Sequence, residues 1–153
     1  VRAATAQMLA LNDSARDVGL AVGATSCTDV TGFGFLGHLK HIVEASGVSA
    51  RLSAASVPLL GGVVELARQG VVPGGSKRNL SYAASAVRFD DAVDPALRLV
   101  LSDAQTSGGL LLCVPPARVD EAVAALREHG TSAAAIVGTL LPAEGASLIY
   151  VDP

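Results

Sequence analysis

One carboxylate in this sequence stands where chemistry is plausible. Asp29 ends a short apolar run and opens directly onto a glycine-bearing stretch, Thr28-Asp29-Val30-Thr31-Gly32-Phe33-Gly34-Phe35-Leu36-Gly37. A fixed negative charge beside several free backbone N–H groups suits a metal–phosphate pair. Mg²⁺ takes oxygen donors and is commonly held by one or two protein carboxylates together with substrate phosphates. Asp also caps turns through its own backbone, which is the plainer alternative. A single carboxylate does not make a Mg²⁺ site, so the remaining ligands must come from elsewhere.

Two further loops have related character. Gly74-Gly75-Ser76-Lys77-Arg78-Asn79 and Gln105-Thr106-Ser107-Gly108-Gly109 combine flexible backbone with hydroxyl or amide side chains. Adjacent N–H groups in such turns form anion-binding nests. Each loop taken singly reads as a connection. Three of them in one domain, each at the edge of an element, favour a shared polar cleft.

Other groupings carry less. Gly32, Gly34 and Gly37 satisfy G-x-G-x-x-G between a strand and a helix, so a dinucleotide (NADP-type) turn is a rival. The acidic residue expected about twenty positions later is replaced by Arg51, and Asp29 would repel a pyrophosphate unless a cation bridged them. His38, Lys40, His41 and Glu44 lie opposite Phe35, Leu39, Ile42 and Val43 on a helix and are expected to form a solvated face. Cys27 and Cys113 have no neighbouring base and read as small core residues. No Ser-His-Asp or Cys-His grouping is visible. A non-catalytic scaffold, with the loops serving only as turns, is a second rival.

The elements that must position these loops follow from periodicity. Val1, Ala4, Met8, Leu11, Ala15 and Val18 predict one buried packing helix ending near Gly19. A strand over 24–30 precedes the glycine turn. Helical spacing then runs through Phe35, Leu39, Ile42 and Val43 to a stop at Gly47, and a strand follows over 48–52. Helices are expected at 59–69, at 81–87 capped by Ser76, and after Asp94-Pro95. Leu110 to Val114 predicts a strand buried on both faces, followed by a helix to Gly130 and strands at 133–140 and 147–151. The expectation is one mixed α/β domain with two strand–helix–strand units, like halves of a ferredoxin-like pattern.

Bulk properties exclude several classes. The 153 residues fit one domain with a real core, and half of them are hydrophobic. Mean hydropathy is +0.48, yet no apolar run reaches the roughly 18–20 residues that span a bilayer. A net charge of −3 and 3% aromatics give no footprint for nucleic acid. Two widely spaced cysteines suit a reducing cytoplasm. The chain starts at Val1 with neither initiator Met nor signal-peptide pattern, and reads as a piece of something longer.

The loops also carry a resemblance. Thr28 to Gly34 resembles the TDVTGFG signature of selenophosphate synthetases (selenide, water dikinases), and the similarity continues through Leu36-Gly37-His38-Leu39. Val72-Pro73-Gly74-Gly75-Ser76 with Asn79 is similar to that family's VPGGT-x-x-N loop. Asp103-Ala104-Gln105-Thr106-Ser107-Gly108-Gly109-Leu110-Leu111 is similar to its DPQTSGGLL block. The three blocks occur in the family's order. Ser76 stands for the usual Thr and Ala104 for the usual Pro.

The resemblance covers the C-terminal domain only. It implies a fold like the C-terminal domain of aminoimidazole ribonucleotide synthetase, a mixed sheet with helices in layers. It implies an enzyme making selenophosphate from selenide, ATP and water, with AMP and phosphate as the other products. Asp29 would supply a Mg²⁺ ligand across an interdomain cleft. Thr31, Gly32, Gly75, Ser76, Asn79, Gln105, Thr106, Ser107 and Gly108 would shape the phosphate side. The N-terminal domain would bring most of the ATP site, further aspartates, the reactive Cys or selenocysteine with its Lys, and the main contact of a homodimer. No catalytic nucleophile is assigned within these residues, and the isolated piece is expected to be inactive.

Overall fold

The computed structural model describes residues 1–131, 133–146 and 148–153. In chain order the elements are α1 (Arg2–Leu9), α2 (Asp13–Ala21), β1 (Ser26–Asp29), α3 (Gly34–Ser46), β2 (Val48–Ser53), α4 (Val63–Arg68) and α5 (Gly74–Ala83). There follow β3 (Val87–Phe89), α6 (Pro95–Val100), β4 (Leu110–Cys113), α7 (Val119–Glu128), β5 (Gly138–Pro142) and β6 (Ile149–Asp152). Four strands form a mixed sheet in the order β3-β6-β2-β5, with β6 parallel to β2 and β3, and β5 antiparallel to β2. Strands β1 and β4 form a separate antiparallel pair, in which Asp29 lies opposite Leu110 and Thr28 opposite Leu111.

Helix α3 joins the two sheets. Leu36, Leu39 and Val43 fall at helical spacing on one face and pack with Ala50 and Leu52 of β2, Ile149 and Val151 of β6, and Leu101. Fully burying a side chain such as Leu36 or Leu52 contributes about 1.5–3 kcal/mol, so this face anchors the helix on the sheet. The helix stops at Gly47, which takes φ 64°, a left-handed value that favours glycine. A smaller cluster of Val18, Val22 and Ala122 holds α2 against α7.

The α/β class, with a mixed sheet and covering helices, matches the expectation; several details do not. The single N-terminal helix is two, broken before Asn12, and α1 buries no residue at all. Its stripe of Val1, Met8 and Leu11 is amphipathic but uncovered. The expected strand–helix–strand units are not crossovers within one sheet. β1 and β2 flank α3, and β4 and β5 flank α7, yet each pair is divided between the two sheets.

Other boundaries moved for local reasons. α4 starts only at Val63 because Gly62 sits at φ 84°, outside helical geometry. α5 starts at Gly74, after Pro73, and so contains Ser76 rather than being capped by it. That helix ends at Ala83 rather than 87: residues 84–86 turn the chain and Val87 opens the strand β3, drawn out by pairing with β6. The strand expected over 133–140 begins only at Gly138, and β6 replaces the strand expected over 147–151, of which Ser147 lies outside the described residues. Asp94 caps α6 as expected, accepting from the Ala96 N–H at 2.8 Å.

Candidate functional site

The three polar loops close on one another. Val30 N–H donates to the Gly109 carbonyl at 3.0 Å, extending the β1–β4 pairing into the turn. Gln105 N–H donates to the Thr31 carbonyl at 2.9 Å, and Leu36 N–H to the Leu101 carbonyl at 3.1 Å. Close approach needs glycine at two points. A Cβ on Gly108 would lie 2.1 Å from the Val30 carbonyl oxygen. A Cβ on Gly34, at φ 69°, would lie 2.5 Å from the Ser102 carbonyl.

The third loop is attached by side chains. Asn79 Nδ2 donates to the Gly32 carbonyl at 2.9 Å and to the Ser102 carbonyl at 3.1 Å. The buried Ser76 hydroxyl donates to the Asp103 carboxylate. From the other side, Asn12 Nδ2 donates to the Gly108 carbonyl at 2.9 Å.

The residues expected to form the site divide into two groups. Ser76, Asn79 and Gly108 commit their polar atoms or their lack of side chain to holding the loops together. Asp29, Gly32, Thr106 and Ser107 are exposed. The Asp29 carboxylate has no hydrogen bond or ion pair with the described residues. A Cβ on Gly32 would meet nothing within 4 Å, so its backbone is open. Ser107 holds φ 53°, unusual for a side-chain-bearing residue. Gln105 is exposed but turns its Nε2 back to the Asp103 carbonyl at 3.1 Å. Thr31 is half-buried, and Gly75 lies in the first turn of α5 beneath the Arg78 guanidinium. Gly75 joins the cluster only through its neighbours Ser76 and Asn79.

One residue assigned to a solvated face belongs to the site. His38 is 9% exposed, and its Nε2 accepts the Thr31 N–H at 3.0 Å. Burial, followed by the neighbouring His41, pushes its pKa below the ordinary imidazole value, with Asp29 opposing. The available signal was directional: a helical side chain leans toward the N-terminus, so residue 38 of a helix starting at Gly34 reaches back over the preceding turn. Lys40 is also buried rather than solvated, its ammonium 4.2 Å from the centre of the Tyr82 ring and paired with Glu44.

The donor set suits part of a hard-cation shell. Among the described residues no three His, Cys, Asp or Glu side chains come together as a metal-binding group, so they form no complete shell; Asp29 is a lone exposed carboxylate with oxygens free to meet a hard cation. Cys27 is exposed rather than in the core, and Cys113 is half-buried. Burial and the Asp29 charge push the Cys27 thiol pKa up, away from a reactive thiolate. The dinucleotide rival fails on pairing. A Rossmann turn follows a strand of a parallel sheet, whereas β1 pairs antiparallel with β4 and α3 leads into the other sheet.

Comparison with known proteins agrees with the three motifs. A profile for the family described as AIR synthase related protein, C-terminal domain, matches residues 2–151. A selenide, water dikinase of Pelobacter propionicus is 44% identical over 137 residues, covering 88% of this chain and 38% of that protein. One from Porphyromonas gingivalis is 39% identical over 150 residues, covering 97% and 42% respectively. One from Cronobacter sakazakii is 43% identical over 142 residues, covering 93% and 40%. The chain thus spans 38–42% of the length of these relatives. With motifs, fold and relatives in agreement, this chain belongs to the AIR synthase-related C-terminal domain family, with selenide, water dikinases among its relatives.

Proposed function

We propose that this chain is the C-terminal domain of a selenophosphate synthetase. The whole enzyme, as a homodimer, would convert selenide, ATP and water into selenophosphate, AMP and orthophosphate in the cytoplasm. An N-terminal domain would supply the nucleophile, most ATP contacts and the other metal-binding carboxylates. One observation carries the reading for this domain: the Asp29 carboxylate is unpaired among the described residues, beside the open Gly32 backbone, where three loops lock together.

Phosphoryl transfer depends mainly on positioning and charge neutralisation. Mg²⁺ held at the site would supply positive charge to offset that of the phosphates. Asp29 would contribute one ligand to that ion. Thr31, Gly32 and the 105–108 loop would line the phosphate side, Gln105 after turning from the Asp103 carbonyl, with Thr106 and Ser107 offering hydroxyls. Gly75, Ser76 and Asn79 would act from behind, keeping the turn and the loop at one spacing.

The test is ³¹P NMR of the full-length protein with ATP, Mg²⁺ and selenide. The reading predicts selenide-dependent appearance of selenophosphate, AMP and orthophosphate together. ATP consumption indifferent to selenide, or none at all, overturns it.

A further inference from the structure

The Asp29–Gly32 turn is bracketed by one imidazole. His38 Nε2 lies 3.0 Å from the Thr31 backbone N and 3.2 Å from Thr31 Oγ1, and its Nδ1 lies 3.4 Å from Thr28 Oγ1. The polarity of this arrangement follows from its ends. An amide N–H only donates, so Nε2 carries the lone pair. Thr28 Oγ1 directs its own proton to the Asp29 carbonyl at 3.2 Å, so toward His38 it accepts, and Nδ1 carries the proton. The chain runs from Nδ1–H to the Thr28 hydroxyl to the Asp29 carbonyl on one side. On the other, Thr31 N–H donates to Nε2.

The ring itself has little freedom. It packs edge-on to Phe33 at 5.9 Å and to His41 at 6.0 Å between centroids, and is almost wholly buried. Among the described residues, the imidazole is the one partner of the Thr31 N–H. Without it, that amide would be left unpaired and the Thr28 and Thr31 side chains would lose the partner they share, leaving the turn held by the β1–β4 ladder, the Gln105 N–H and the Asn79 side chain.

We propose that His38 is a positioning residue of this site: neutral and protonated on Nδ1, it grips Thr28 and Thr31 and thereby sets the direction of the Asp29 carboxylate and the Gly32 backbone. The tautomer and the grip on Thr31 stand independently of any reaction. The consequence for turnover rests on Asp29 holding Mg²⁺ in the synthetase.

Three readouts on the full-length protein test this. Long-range ¹H–¹⁵N correlation of the imidazoles should show His38 Nδ1 protonated and Nε2 bare at pH 7.5; the opposite tautomer, or an imidazolium, overturns the proposal. Hydrogen exchange at the Thr31 amide should quicken at least tenfold in His38→Leu and return toward the wild-type rate in His38→Gln, whose amide oxygen offers an acceptor. His38→Leu should also raise the Mg²⁺ concentration for half-maximal turnover about tenfold, the equivalent of about 1.4 kcal/mol, with His38→Gln recovering most of the loss. Unchanged Thr31 exchange in a folded His38→Leu protein overturns it, as does unchanged Mg²⁺ dependence in that protein where Asp29→Asn loses Mg²⁺-dependent turnover. Failure of the underlying reading looks different: Asp29→Asn would keep Mg²⁺-dependent turnover while the His38 tautomer and Thr31 exchange came out as stated.

Discussion

Asn79 joins Gly32 to Ser102, its side-chain amide donating to both backbone carbonyls at 2.9 and 3.1 Å. One residue of α5 therefore holds the glycine turn after β1 against the end of α6. Removing both hydrogen bonds in Asn79→Ala should cost about 1–3 kcal/mol. Asn79→Asp should be worse, because a carboxylate then faces two carbonyl oxygens. Urea unfolding of the domain checks both the size and the order of the effects.

Gly108 and Gly32 make a contrasting pair. A methyl at Gly108 points into the Val30 carbonyl oxygen, and overpacking of this kind costs about 1–3 kcal/mol or more. A methyl at Gly32 meets nothing within 4 Å. Gly32→Ala should therefore stay within about 0.5 kcal/mol of wild type on unfolding. In the full-length enzyme it should still raise KM for ATP roughly tenfold, about 1.4 kcal/mol, because a phosphate at the open backbone would meet the new methyl. Unfolding and steady-state kinetics on the two variants separate a scaffold glycine from a cleft glycine.

The pH dependence of stability should carry a mark of His38. Its pKa is lowered in the fold, chiefly by burial and then by His41, while Asp29 pulls the other way. The unfolded chain therefore takes up a proton first, at about pH 6.5. Stability contributed by the neutral ring is present above that pH and is lost as pH falls through the lower folded value. Thermal unfolding of the metal-free domain between pH 7.5 and 5 should show a falling midpoint, with a shallower slope in His38→Gln.

The isolated 153 residues should show no selenide-dependent ATP turnover. Among the described residues there is no activated thiolate, since both cysteine thiols are pushed up in pKa, and no complete metal cluster. Coupled AMP and orthophosphate assays on this chain check the point.

The legible parts of this fold were those governed by local chemistry. Gly47 and Asp94 announced a helix end and a helix start, and the three glycine-bearing loops announced one another. What could not be read was set by distant partners. Val87 to Phe89 became a strand because β6 lies beside it, and β1 left the main sheet because β4 paired with it. The N-terminal stripe was amphipathic in sequence, but periodicity does not say what, if anything, covers a face. The meeting of the three loops was legible, and which of their residues fasten the loops and which lie exposed was not. Nothing local distinguishes Asn79, turned onto two carbonyls, from Thr106, left exposed. The polar helical face of His38 predicts solvent, but polarity is not exposure: its partners are the backbone and hydroxyl of the turn itself.

The most direct test of the account is Asp29→Asn in the full-length protein, read as turnover against Mg²⁺ concentration with folding checked by circular dichroism. The account predicts a folded protein whose Mg²⁺-dependent selenophosphate formation falls at least a hundredfold, about 2.7 kcal/mol, and is partly restored at high Mg²⁺. A folded Asp29→Asn protein with wild-type turnover and wild-type Mg²⁺ dependence would contradict it.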